Sequence, residues 1–183
     1  MSEKYKFKDP EGLYFTTSTI VFWIDLFTRK EFKHIIIDAL RHCHEHKGLR
    51  IHAWCLMPSH LHLIISSQDQ SLSAIMRDFK KFTAKALITQ IKLINESRKD
   101  WLLNAFKKAG KDLKRINDYK VWQDGNQPKQ IETNHFLDQK IDYIHFNPVA
   151  SEIVDEPEQY LYSSARDYTG IKGLLPVELL GSR

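Results

Sequence analysis

The sequence predicts an α+β fold: a ferredoxin-like antiparallel sheet with helices packed on one face, plus a basic helical insertion. Three observations carry this. Strand-like and helix-like runs alternate from Leu13 onward. Two strand-like runs meet at the two-residue break Pro58-Ser59, which reads as a hairpin. The resulting order is strand, helix, strand, strand, helix, insertion, short strand, helix, and it sets two helices against one face of an antiparallel sheet.

The first run, LYFTTSTIVFWIDLF from Leu13 to Phe27, is rich in Thr, Ile, Val, Phe and Trp, as strands are. Thr28, with Glu31 three residues on, has capping-box spacing. Phe32, Ile35, Ile36, Ala39, Leu40 and Cys43 then recur at helical spacing, and Gly48 supplies a stop. IHAWCLM and HLHLIIS flank Pro58-Ser59 as the two arms of the hairpin. Proline suits that turn because it cannot donate to a ladder.

Ser71 or Ser73 starts a second helix through Ile75, Met76, Phe79, Phe82 and Leu87. The basic stretch that follows, about 88–120, stays helix-compatible, with Trp101, Leu102, Ala105, Phe106, Ala109 and Leu113 on one side and Gly110 as a weak point. Lys129 to Ile131 is a short strand-like piece after the turn residues Asp124, Gly125, Asn126 and Pro128. A last helix begins at Thr133 or Asn134 and ends at Pro148, since the residue before proline is pushed out of the helical region. The tail, about 150–183, is mixed and loop-rich. The whole chain, 1–183, reads as one domain with one insertion.

Composition narrows the classes. Apolar and charged fractions of 42% and 27% are those of a soluble globular protein. The two cysteines, Cys43 and Cys55, are too few for a disulfide framework, which fits a reduced cytoplasmic setting. The most apolar early run is too short and too polar to span a bilayer, and nothing resembles a signal region. Charge is uneven. From Arg77 to Lys120 there are 13 Lys/Arg against 5 Asp/Glu, whereas the whole chain carries only +4. Such a segment fits a polyanion as well as it fits a solvated helix face.

Two short segments carry residues with chemistry. In MPSHLHLII, Met57 to Ile65, His60 and His62 are two apart. In a strand they share a face, while Leu61 and Leu63 take the other. Neutral imidazoles are common metal ligands. Alone, however, a His-x-His is more often a hydrogen-bonded pair at a sheet surface. In DYIHFNPV, Asp142 to Val149, Tyr143 and Asn147 are four apart and share a helix face. Alone, they read as a packed phenol and a helix cap.

Together, these segments resemble a family. HAWCLMPSHLHLII is similar to the histidine–hydrophobe–histidine hairpin of single-tyrosine HUH transposases. KIDYIHFNPV is similar to their tyrosine helix, and VWQDGNQPKQIET to the segment before it. EQYLYSSARDYTG resembles the Tyr-Ser-Ser-Ala-Arg segment of the REP-associated tyrosine transposases. The segments fall in matching order over nearly the whole chain. Ser59 stands where the family usually has asparagine, and the stretch Ile91 to Asn117 is longer than the family pattern.

The resemblance implies cleavage and rejoining of single-stranded, hairpin-containing DNA through a covalent 5′-phosphotyrosine. Tyr143 would be the nucleophile. His60, His62 and Asn147 would hold a divalent metal, Mg²⁺ or Mn²⁺. Arg77, Lys80, Lys81 and Lys85, spaced along one helix, and Arg166 in the tail would contact the DNA backbone. Trp122 or Tyr168 would stack on bases, unless they belong to the core. The protein would act as a monomer or a homodimer, away from membranes. Two other readings stay open: a non-catalytic hairpin binder and a nuclease using activated water.

Overall fold

The computed structural model describes residues 7–68, 70–111 and 119–181. Four strands form one antiparallel sheet in the order β2-β3-β1-β4: β1 Tyr14–Thr19, β2 Leu49–Leu56, β3 His60–Ser67 and β4 Lys129–Gln130. This is the expected α+β, ferredoxin-like arrangement. β2 and β3 form the predicted hairpin, closed by the Met57 N–H donating to the His60 carbonyl at 2.8 Å.

β1 is shorter than the sequence suggests. Its run of strand formers continues to Phe27, yet the chain leaves the sheet at Ile20 and turns over Val21–Trp23. The tertiary context overrides local propensity here. The flanks of the turn are tied down. Ile20 N–H donates to the Ser59 carbonyl, Val21 N–H to the Val121 carbonyl, and Phe27 N–H to the Pro58 carbonyl.

Helix α1, Lys30–Lys47, ends at Gly48, whose φ of 69° is the left-handed stop that glycine adopts freely. Its N-cap is Arg29 rather than Thr28, whose hydroxyl instead accepts from Arg98 Nη2 at 3.3 Å. Helix α2, Leu72–Leu93, starts where expected, with the Ser71 hydroxyl accepting from the Ala74 N–H. The two helices pack together, with Lys47 and Asp78 paired at 2.7 Å. They cover the sheet face of Leu61, Leu63 and Ile65, all fully buried.

The stretch read as a helical insertion contains the end of α2 and a separate helix, α3 Lys99–Gly110. Leu102 and Phe106 bury its inner side, while Trp101 stays exposed. Leu113 lies outside the described residues. A buried carboxylate ties the insertion to the body: Glu96 meets Arg29 at 2.7 Å and Arg98 at 3.2 Å.

Helix α4, Asn134–Ala150, is capped by the Thr133 hydroxyl. It runs past Pro148 rather than ending there. A proline this near the end removes few ladder bonds, so the last turn survives. The tail then carries a short helix, α5 Ala165–Tyr168. No described helix is long and apolar enough to cross a membrane.

Candidate active site

Alternation along β3 sends His60, His62 and Ile64 to the face opposite α1 and α2. α4 lies on that face. His62 pairs in register with Thr17 of β1, and its Nδ1 sits 2.9 Å from the Thr17 hydroxyl. With Nδ1 so engaged, Nε2 points at α4, where the Asn147 carboxamide Nδ2 lies 3.4 Å away. Rotating that carboxamide by a half-turn would bring its oxygen there instead. His60 Nδ1 lies 3.1 Å from the Ser59 hydroxyl. The two imidazole rings are 4.6 Å apart at 74°.

Tyr143 joins them from the preceding turn of α4. Its ring is 5.2 Å from that of His62 and 6.0 Å from that of Phe15. It is 47% exposed, so its phenol is accessible. The Lys140 ammonium, one turn earlier, lies 5.3 Å from the centre of the Tyr143 ring. His60 and His62 from β3 and Tyr143 and Asn147 from α4 thus lie on one side of the sheet, with His62 beside each of the other three.

Electrostatics favour neutral rings. Burial, with help from the neighbouring His60 and Lys140, pushes His62 down to about 3. Burial also lowers His60, against the pull of Asp25. Both imidazoles therefore keep a lone pair at neutral pH, which metal ligation requires. Two imidazoles and an amide suit a divalent ion with open positions. Among the described residues no three His, Cys, Asp or Glu side chains gather to hold a metal.

The helix α4 is itself anchored. His145, beside Asn147 but on the buried side, lies 2.9 Å from the Ser164 hydroxyl. Ser164 also bonds both backbone groups of Trp54 in β2. The Tyr-Ser-Ser segment thus fastens the tyrosine helix to the sheet.

The other sequence candidates fall elsewhere. Arg77, Lys81 and Lys85 are exposed on α2, across the sheet from the imidazoles. Lys81 and Lys85 line a cavity of about 590 Å³ between α1 and α2, and Arg77 pairs with Asp78 at 3.1 Å. Lys80 turns inward. Its ammonium donates to the carbonyls of Gln123 and Gly125, and burial pushes it down to about 8. Arg166 lies in α5, and its buried Nε has no acceptor among the described residues. Trp122 is core, packed on Phe27 and Phe79.

Residues 24–119, more than half of the chain, match the family described as Transposase IS200 like. The chain belongs to the IS200-like transposase family. The matched stretch contains His60 and His62, while Tyr143 and Asn147 lie beyond it. Among solved structures, the chain of this family member is similar to one described as the REP associates tyrosine transposase bound to a REP hairpin. The likeness has a TM-score of 0.63 at 22% identity and covers 100% of this chain and 93% of that one. At that identity it speaks for the fold. No curated protein matches the chain.

Four neighbours of the site were not foreseen from sequence: Thr17, Phe15, Lys140 and Trp23. Lys140 alone had a readable signal, its place three residues before Tyr143 on the same helix face.

Proposed function

We propose that this transposase cleaves and rejoins single-stranded, hairpin-bearing DNA through a covalent tyrosine intermediate. The observation that carries the reading is the convergence of Tyr143 and Asn147 of α4 on the His60–His62 face of β3. The Tyr143 oxygen attacks the scissile phosphorus. The new bond is phenolic O–P and the broken one is P–O3′. The phenol proton leaves to solvent, and the departing 3′ oxygen takes up a proton. The ester is conserved in energy, so attack by a 3′-hydroxyl reverses the step and joins strands.

His60, His62 and Asn147 would hold a divalent ion, Mg²⁺ or Mn²⁺. Bound there, it would polarise a phosphoryl oxygen and offset the charge that builds on phosphate. Thr17 fixes the His62 ring so that Nε2 faces the ligand position. Burial keeps both imidazoles unprotonated. Ser164, through His145, holds α4 at the register that brings Tyr143 to the sheet.

A DNA hairpin is the partner this reading requires; the similar solved chain is described as bound to one. Arg77, Lys81, Lys85 and Arg166 remain the proposed backbone contacts, whereas Lys80 is committed to the carbonyls of Gln123 and Gly125. With the first three across the sheet, DNA would have to wrap past an edge to meet both them and the imidazoles.

The test is incubation with a hairpin-tipped single strand and Mn²⁺, followed by denaturing electrophoresis. A protein–DNA adduct is expected for the wild type and none for Tyr143→Phe. An adduct or cleavage undiminished in Tyr143→Phe would assign the chemistry to activated water. Binding without any product would leave a hairpin-binding protein.

A further inference from the structure

The turn after β1 holds two bulky aromatics where the fold has no use for them. Phe22 and Trp23 have φ of 59° and 56°, a left-handed conformation that bulky residues rarely adopt. They are 59% and 60% exposed, so no core burial offsets that strain. Their neighbours do the opposite. Ile20, Val21 and Ile24 are buried, and the backbone on both sides is hydrogen-bonded to Ser59, Val121 and Pro58. A strained tip between locked flanks is a rigid display of two rings.

Its position points to a ligand. Trp23 meets His60 edge to face, with ring centres 5.6 Å apart. It therefore borders the proposed phosphate site directly. The brace behind it is cationic: Arg98 donates from Nη1 to the Asp25 carbonyl at 3.0 Å and from Nη2 to the Thr28 hydroxyl. Scattered single aromatics on a surface need no account. Two adjacent ones, both in a strained conformation and with Trp23 against one of the two imidazoles, do. Local strain of this kind collects at functional sites.

We infer that Phe22 and Trp23 form a platform on which a nucleobase adjoining the scissile phosphate stacks. The inference rests on the single-strand transposase reading of the neighbouring site. Aromatic faces accept any base, so the platform grips single-stranded DNA without reading its sequence, and duplex DNA, whose bases are already stacked, gains nothing from it. It would hold the nucleotide next to the phosphate while α4 presents Tyr143 from the other side.

The probe is a fluorescein-labelled twelve-residue oligothymidylate, compared with an abasic phosphodiester chain of equal length and charge, read by anisotropy. The wild type is expected to bind the thymidylate about tenfold more tightly, the scale of one stacked base. Trp23→Ala and Phe22→Ala should bind both chains alike. Trp23→Gly is the folding control, because glycine accepts φ near 56° without strain, so it should be at least as stable yet lose the preference. Tyr143→Phe should keep the preference although it cannot form an adduct, so stacking and strand chemistry are read apart. Equal binding of the two chains by the wild type, or an undiminished preference in Trp23→Gly, would overturn the platform. Concentration-dependent self-association lost in Trp23→Gly, with no base preference, would assign the patch to a second copy instead.

Discussion

Asn147 and His62 stand 85 positions apart in sequence, yet their side-chain nitrogens lie 3.4 Å from one another. The contact joins the last turns of α4 to the middle of the sheet. Between two neutral groups it is a weak hydrogen bond. Under the proposed reading, this amide would be the third ligand beside His60 and His62. If so, Mn²⁺ should raise the melting temperature of the wild type, because an ion that binds only the folded chain stabilises it. At a hundredfold excess over Kd the gain is about 2.7 kcal/mol. His60→Ala, His62→Ala and Asn147→Ala should each lose most of that shift. An equal shift in all three would place the ion elsewhere.

Thr17 reaches His62 Nδ1 at 2.9 Å and so decides which ring nitrogen is free. Thr17→Val keeps the shape and removes the hydroxyl. Mn²⁺ affinity should fall about 10- to 100-fold, the usual effect of losing the group that orients a ligating histidine. Titration calorimetry would read it directly, and an unchanged affinity would show the hydroxyl to be dispensable.

Ser164 is buried and bonds Trp54 N–H, the Trp54 carbonyl and His145. Ser164→Ala removes the hydroxyl that the Trp54 N–H and His145 share, although the residue-164 N–H still reaches the Trp54 carbonyl, so urea unfolding should show a loss of about 1–3 kcal/mol. Hydrogen exchange should concentrate the loss in α4. A loss spread evenly over the sheet would mean that the serine supports β2 alone.

Glu96 sits in the buried interior between Arg29 and Arg98. Glu96→Gln should destabilise by about 1–3 kcal/mol, because two guanidinium groups lose their charge partner. Both arginines are partly exposed, which keeps the loss below that of a fully buried pair. Arg98 keeps its own bonds to the Asp25 carbonyl and the Thr28 hydroxyl, so the loss should be read in urea unfolding while the stacking preference of Trp23 stays unchanged.

Lys80 gives a pH signature. Burial lowers it to about 8 in the folded chain, against 10.5 for the unperturbed group. Between those values the unfolded chain holds a proton that the folded chain has released. Stability contributed by this group therefore rises as pH climbs from about 8 to 10.5. The stability of the wild type relative to Lys80→Met should grow by roughly 2 kcal/mol across that window. A flat difference in denaturant unfolding at pH 7.5 and 10 would show that the ammonium is better solvated than its burial implies.

Most of the sheet was readable because period-two and period-3.6 patterns are local. Leu61, Leu63 and Ile65 against His60 and His62 needed only alternation, and Tyr143 with Asn147 only the helical repeat. What joined the pairs was the order of segments, not physics visible in either. Thr17 was invisible because cross-strand partners depend on register, which no single strand states. Trp23 was read as strand for a different reason: neither it nor Phe22 is a residue that announces a left-handed turn. Pro148 misled in the opposite direction, since packing of Ile144 and His145 carries the helix through it.

The segment around Ser163 has a consequence for how copies of this chain can meet. Leu56 N–H donates to the Tyr162 carbonyl and Ser164 N–H to the Trp54 carbonyl, so the tail occupies the outer rim of β2. β4, at the other rim, is two residues long. Among the described residues neither rim leaves a run of unpaired amides on which a second sheet could grow. A second copy adding a strand at the β2 rim would first have to peel the tail away and loosen the hold on α4 that Ser164 provides.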